Sequence, residues 1–268
     1  MLFSANTSGR SVVPGSLWGP HAHDWFQIQE TQSRALYDIV LKALKLSSEL
    51  PVLDAGCGSG MFCELAAAKG AHVTGIDSSP ELLQLARQRT TPATFIDADV
   101  ENLPFSDGAF DVVTLLNTLQ HVRDAGRTLG EARRVLRPGG RIAVAVWARQ
   151  ENCDMAEYYR LLTKLLPITP PKTPPAFAYS ATGVLHRTVA QAGFHKLIET
   201  EALTIWSYAH EEAALRGLLS TGAAAQAINC AGIERVRERV REFLTPFRLP
   251  RGGYRLENAF RYLVAQRS

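Results

Sequence analysis

The 268-residue chain contains no stretch approaching the ~20 apolar residues of a membrane span. Residues 1–20 also lack the basic start and long apolar run of a secretory leader. These absences predict a cytoplasmic location and no membrane partner. Cysteines are few: Cys57, Cys63, Cys153 and Cys230 stand apart with no C-x-x-C pair. That pattern fits a reducing compartment and predicts no metal site. Clustered charge of one sign is missing as well. The net charge is only +3, with Lys and Arg interleaved among Asp and Glu, so no nucleic-acid partner is expected. The most basic run, 233–247, alternates Arg235, Arg237, Arg239 and Arg241 with Glu234, Glu238 and Glu242. Its apolar residues Ile233, Val236, Val240, Phe243 and Phe247 recur at three- and four-residue steps, which describes an amphipathic helix with a solvated face better than a phosphate track.

A dinucleotide fingerprint is also lacking. Residues 52–60 read Val-Leu-Asp-Ala-Gly-Cys-Gly-Ser-Gly, and the position where G-x-G-x-x-G needs its third glycine is Met61. What stands there is G-x-G-x-G, formed by Gly56, Gly58 and Gly60 after an apolar strand that ends in Asp54. Such a turn lets a ligand lie against bare backbone amides at a helix start. Asp54 beside it would repel a pyrophosphate and suit a cationic ligand. A second strand, His72 to Ile76, ends in Asp77, where a carboxylate can accept both hydroxyls of a ribose. The ligand predicted is a ribonucleoside with a cationic, phosphate-free tail, a description that S-adenosylmethionine meets.

Over roughly residues 31–147 the chain resembles the class I S-adenosylmethionine-dependent methyltransferases, in particular the small-molecule branch. Residues 54–60 match that family's glycine loop and Asp77 its ribose acid. Asp99, in the segment 97–105, matches the acid that accepts from the adenine amino group, with Val100 offering its amide to the ring. Residues 110–117 resemble the fourth strand, and Val135-Leu136-Arg137-Pro138-Gly139-Gly140-Arg141 the turn into the fifth. The resemblance implies S-adenosyl-L-methionine as cofactor, bound by Asp54, Gly56, Cys57, Gly58, Asp77, Ser78, Asp99, Val100 and Asn117. Cys57 is expected to contact it and not to act as a nucleophile.

Apolar periodicity predicts a helix over 31–48. Strand and helix then alternate: strand 51–55, helix 60–69, strand 72–76, helix 79–88, strand 94–97, strand 110–116, helix 124–135 and strand 141–147. This alternation gives an α/β, doubly wound, mainly parallel sheet. Asp54, Asp77, Asp99 and Asn117 would lie beyond the carboxyl ends of its strands, where ligands bind. After Trp147 come a short helix near 155–166, a proline-rich connector 167–175, a helix ending at Gly193, a strand 195–207 and a last strand 254–266. The resemblance pairs these last two as an antiparallel hairpin, closing a seven-stranded sheet in the order 3-2-1-4-5-7-6. The intervening residues are too many for a turn and read as an inserted helical cap of two helices, near 210–222 and 232–247. The domains expected are a lid segment 1–30, the Rossmann-like domain 31–207 with 253–268, and the cap 208–252.

Methyl transfer from a sulfonium mainly requires alignment, exclusion of water and sometimes removal of a proton. His121, four residues after Asn117, is the candidate base, and a structural hydrogen bond is the competing reading. Trp25 is the candidate lid residue, and Trp147 either walls the acceptor pocket or packs under the connector. Tyr159, Trp206 and Tyr208 read as core. Three further absences narrow the acceptor: Asn117 is not followed by Pro-Pro-aromatic, no Pro-Cys pair offers a cytosine-attacking thiol, and no acidic and amide pair follows Trp147. Metal-independent O-, N- or C-methylation of a small molecule is the leading expectation, with a homodimer admitted. The competing readings are a non-catalytic binder of S-adenosylmethionine or S-adenosylhomocysteine whose cap meets a partner, and an RNA or protein methyltransferase. A substrate-sized void lined by Trp25, His121 and Trp147 would separate enzyme from binder.

Overall fold

Continuous burial explains the centre of the sheet. In β1 (Pro51–Ala55) Val52 and Leu53 are fully buried, and every residue of β4 (Phe110–Leu116) is buried, as parallel strands covered on both faces require. The computed structural model describes residues 17–90, 92–167 and 174–268. The start of the expected lid segment and most of the proline-rich connector therefore lie outside the described residues. The remaining strands are β2 (His72–Asp77), β3 (Thr94–Asp97), β5 (Leu136–Trp147), β6 (Phe194–Tyr208) and β7 (Tyr254–Arg267). They form one seven-stranded sheet in the order β3-β2-β1-β4-β5-β7-β6. β7 runs antiparallel to both β5 and β6, and the other pairs are parallel. The fold class and strand order read from the sequence are those observed.

Alternating side chains divide the core into two layers. Val52, Val112, Ala143 and Ala145 face one layer, which holds α2 (Arg34–Leu44), α3 (Met61–Ala67), α6 (Met155–Thr163) and the cap. Leu53, Val113, Ile142 and Val144 face the other, covered by α5 (Ala125–Val135) and α7 (Val184–Gln191). α4 (Pro80–Arg89) starts with Pro80 behind Ser79, whose hydroxyl accepts from the Leu82 amide. Asp124 caps α5 in the same way, accepting from the Arg127 amide at 3.0 Å. Both use the N-cap preference for a short side-chain oxygen.

Three expectations need correction. The predicted helix 31–48 ends at Leu44, where Lys45 turns left-handed with φ 48°. At its other end it continues backward without a break through a 3-10 turn (Glu30–Ser33), a π turn (Trp25–Gln29) and α1 (Ala22–Asp24). The expected boundary between residues 30 and 31 thus falls inside one helical run. Second, β5 begins at Leu136 and not near 141, because Leu136 pairs with Phe110 before the register shifts at the glycine turn. Third, the cap has three helices: α8 (Glu211–Leu219), α9 (Gly222–Ala231) and α10 (Ile233–Leu244). α9 carries mostly small residues and no charge, with only Gln226 and Asn229 polar on its exposed side, so its apolar stripe has little contrast in the sequence. Thr221 starts it by accepting from the Ala224 amide.

The cap is bound to the sheet domain by buried polar contacts. The Tyr158 hydroxyl of α6 donates to the Leu218 carbonyl at 2.8 Å and shares a 2.6 Å hydrogen bond with Thr221. On α10, Arg237 and Arg241 pair with Glu212 and Glu211 of α8, so the basic run is balanced by acids within the cap. Among the described residues no helix is long and apolar enough to cross a membrane.

Trp147 and Phe260, stacked with ring centroids 4.4 Å apart at the end of β5 and in β7, anchor the sheet beneath the cap. Phe260 is fully buried. Phe260→Ala should cost about 3–5 kcal/mol of unfolding free energy by leaving a cavity. Urea denaturation monitored by tryptophan fluorescence checks this; a loss under about 1 kcal/mol would mean the site collapses freely.

Candidate functional site

The glycine loop after β1 owes its path to two close approaches. Gly56 has φ 83°, and a Cβ there would stand 2.5 Å from the Thr118 hydroxyl. Gly60 has φ 82° and would meet Ala86 of α4 at 2.9 Å. Only glycine takes this backbone without strain. The amides of Gly56 and Cys57 both donate to the Ile76 carbonyl at 2.8 Å, which ties the loop to β2. The Gly58 amide donates to Asp77 Oδ2 at 2.9 Å, while Asp77 Oδ1 accepts from the Ser79 amide, also at 2.9 Å. These bonds fix the carboxylate and leave lone pairs free for a ligand. Burial raises the Asp77 carboxyl above its ordinary pKa, with the backbone amides opposing.

Asp54 lies elsewhere than the sequence suggested. It is buried beneath the loop, accepting from Thr114 Oγ1 at 2.6 Å and Cys63 Sγ at 3.5 Å, and it borders neither cleft described below. Burial pushes its pKa up to about 7.

Two clefts meet at the strand ends and share Trp18, Gly56, Asp77, Asn117 and His121. The outer cleft, about 700 Å³, is walled by Ser78, Asp99, Val100 and Arg123 among others. Asp99 is exposed there; one oxygen accepts from the Glu101 amide at 2.9 Å and the other lies 3.5 Å from Arg123 Nη2. The inner cleft, about 840 Å³, runs past Cys57 and Gly58 to Trp25, Trp147, Tyr159 and Trp206. Asn117 joins the two halves at φ 61°, a left-handed turn that asparagine tolerates. Its side-chain oxygen accepts from Gln120 Nε2 at 2.8 Å.

The π turn gives this site residues that the sequence reading missed. The Cβ direction of Gly58 points at Glu30 Oε1, 3.3 Å away, and at Trp25 Nε1, 3.6 Å away. Glu30 is buried, pairs with Arg89 and accepts from the Ser59 hydroxyl at 2.6 Å. Desolvation nonetheless raises its pKa. Among the described residues the Trp25 indole N–H has no partner. Trp18 meets Trp25 edge-on at 4.6 Å and His121 at 5.6 Å. Buried in this way, the His121 imidazole falls to about 4 and is neutral near pH 7. Trp147 both walls the inner cleft and packs on Phe260. Tyr159 and Trp206, expected in the core, also wall the cleft, whereas Tyr208 is held away by its hydrogen bond to Gln29 at 2.9 Å. Only the tryptophan-rich segment before α2 carried a signal for Trp18. Nothing local marked Glu30, Gln120 or Trp206.

Among the described residues no group of three or more His, Cys, Asp and Glu side chains is placed to hold a metal ion. S-Adenosylmethionine fits the donors present: Asp77 has free lone pairs for ribose hydroxyls, Asp99 accepts at the outer cleft, and the unpartnered Trp25 N–H faces the glycine loop.

A family profile described as a methyltransferase domain matches residues 53–144. A malonyl-[acyl-carrier protein] O-methyltransferase of Pectobacterium atrosepticum is 34% identical over 136 residues, 51% of this chain and 52% of the relative. A 2-phytyl-1,4-naphtoquinone methyltransferase of Nostoc punctiforme is 35% identical over 148 residues, 52% of this chain and 64% of the relative. The chain thus spans about half to under two thirds of these relatives' lengths. The solved structure of the [4+2]-cyclase SpnF superposes with a TM-score of 0.57 at 20% identity, covering 87% of this chain and 80% of the cyclase.

The buried acid makes stability depend on pH. Asp54 titrates near 7 in the fold against an ordinary 3.8, so the folded state holds the extra proton between about pH 4 and 7. Its contribution is complete below that window and is lost as pH rises through it. His121 acts oppositely: its contribution is complete above its ordinary 6.5 and is lost as pH falls toward about 4. Asp54→Asn should remove the first component alone. Between pH 5 and 8 the variant should gain about 2 kcal/mol relative to the parent, measured by urea unfolding at both pH values. Parallel curves would show that Asp54 stays ionised throughout.

Proposed function

We propose that this chain, a class I S-adenosylmethionine-dependent methyltransferase by its domain at residues 53–144 and its sheet order, transfers a methyl group to a small molecule held in the inner cleft. One observation carries the reading: the two clefts share five lining residues, and the inner one is lined by Trp25, His121 and Trp147 together. A protein that only bound the cofactor would need no such void beyond the glycine loop. Fold alone decides nothing here, since the same sheet serves a cyclase. The relatives' names give malonyl-[acyl-carrier protein] and a naphthoquinone as acceptors, both consistent with small-molecule methylation.

In this reading Asp77 holds the ribose hydroxyls, Asp99 and the Val100 amide the adenine, and Ser78, Asn117 and Cys57 border the nucleoside and its tail. The Trp25 N–H donates toward the tail over Gly58. When bound, S-adenosylmethionine would supply a sulfonium methyl: a lone pair of the acceptor would form the new bond as the carbon–sulfur pair returned to sulfur, and any proton left on the acceptor atom would pass to solvent as product leaves. Trp18, Trp25 and Trp147 exclude water, and the rigid strand ends align the reactants. His121 takes a different role from that of a base: with a pKa near 4 it holds protons too weakly for efficient general-base work at neutral pH, and its edge contact with Trp18 makes it a prop for the lid.

S-Adenosylhomocysteine should raise the melting temperature by mass action. Asp77→Ala should remove most of that shift by deleting both ribose contacts. Asp99→Ala should weaken binding less, by roughly 1 kcal/mol, because its carboxylate is solvent-exposed. An undiminished shift in Asp77→Ala would overturn the cofactor assignment.

His121→Asn should lower stability and keep turnover, measured with radiolabelled methyl donor, within about tenfold of the parent, with the pH profile unchanged in shape. A fall of roughly a hundredfold with loss of the acid limb would restore His121 as the base.

A further inference from the structure

The inner cleft carries information about its occupant beyond size. Its far wall is aromatic: Trp147, Tyr159 and Trp206 line it, and Trp147 lies within 6 Å of both other rings. Among the described residues no Lys or Arg lines this cleft. His121 is neutral near pH 7, and the Tyr159 hydroxyl, pushed by burial up to about 12, is protonated. Of the acids lining this cleft, Glu30 is already matched by Arg89, and Asp77 accepts from the amides of Gly58 and Ser79.

Besides the Trp25 N–H already described, two buried polar atoms lining this cleft have no partner among the described residues. Trp206, 4% exposed, has an indole N–H with no partner, and Gln120, 2% exposed, has a side-chain oxygen with none. The orientation of the Gln120 amide follows from its other end, which donates to Asn117 at 2.8 Å. A buried donor and a buried acceptor left unpaired each carry a desolvation cost, and unpaired groups at a cleft mark where a ligand completes the set. An occupant that met both would offer a hydrogen-bond acceptor to the indole and a donor to the amide oxygen. An anionic group would satisfy the indole but would find no cation and would face the oxygen of Gln120.

Resting on the methyltransferase reading, we infer that the acceptor is an uncharged, planar aromatic molecule bearing a hydroxyl or hydroxyl–carbonyl function, recognised by Trp206 and Gln120. The flat skeleton lies against Trp147 and Tyr159. An oxygen accepts from the Trp206 N–H, and a hydroxyl donates to Gln120. Aliphatic acids and carboxylated acyl groups are excluded by the missing cation.

Equilibrium dialysis with three matched probes tests this near neutral pH: 2-naphthol, naphthalene and 2-naphthoate, on protein saturated with S-adenosylhomocysteine. 2-Naphthol should bind at least roughly fivefold more tightly than naphthalene, and 2-naphthoate more weakly than either. Trp206→Phe and Gln120→Met should each reduce the naphthol-to-naphthalene ratio roughly fivefold. The ratio is read within each variant, so a general loss of stability cancels. Preference for 2-naphthoate, a ratio unchanged by both substitutions, or no 2-naphthol binding to protein with S-adenosylhomocysteine bound would each overturn the inference. Should S-adenosylhomocysteine itself fail to bind, the methyltransferase reading falls, and the probe ratios measured without it still decide the chemistry of the cleft.

Discussion

The arrangement of the site depends on one buried ion pair, Glu30 with Arg89. Arg89 closes α4, and its guanidinium also donates to the carbonyls of Ser59 at 3.0 Å and Phe26 at 3.3 Å while lying 4.3 Å over the Phe26 ring. Glu30 answers from the helical run before α2 and takes the Ser59 hydroxyl. One charge pair therefore fastens the N-terminal run, the glycine loop and α4 together. Removing two charges from water is expensive, and such a pair stabilises only when its remaining donors and acceptors are satisfied. Here they are, so its main product is position. Losing either partner would strand a buried charge and free the lid from the loop.

The π turn at Trp25–Gln29 makes that fastening coincide with the cleft. In a regular α-helix, residues five apart diverge by roughly 140°, given 3.6 residues per turn. An i→i+5 turn stacks them instead, and the Glu30 amide does donate to the Trp25 carbonyl. Trp25 and Glu30 therefore both face Gly58. The same departure from regular helix positions the indole over the loop and delivers the carboxylate to Arg89. A sequence pattern based on regular helical periodicity has no means of finding it.

This sets how much was legible. The glycine spacing, Asp77 and the alternation of strands and helices are local patterns with local causes, and they located the parallel strands and the loop, while the strand order followed from the family resemblance. Asp54 was read as a contact because its charge is visible in sequence while its burial under Thr114 and Cys63 is not. α9 escaped because helices built from alanine and glycine have little polar contrast. Trp206 and Tyr159 were assigned to the core because an aromatic lining a cleft and an aromatic filling a core have the same local sequence.

The chain also divides its two tasks unequally. Asp77, Asp99, Val100, Asn117 and the glycines all lie within residues 53–144, the part that matches the methyltransferase profile. The inner cleft takes many of its other lining residues from outside it, Trp18, Trp25, Trp147, Tyr159, Trp206 and the start of α9, beside Leu82, Leu116, Gln120 and His121 from within. Cofactor geometry is fixed by backbone close approaches that tolerate little change, since a Cβ at Gly56 or Gly60 collides at once. The remaining wall is built from side chains on the N-terminal run, β5, α6, β6 and α9. Likeness across the shared part therefore carries the cofactor from relative to relative, and the acceptor has to be read from the side chains of each cleft.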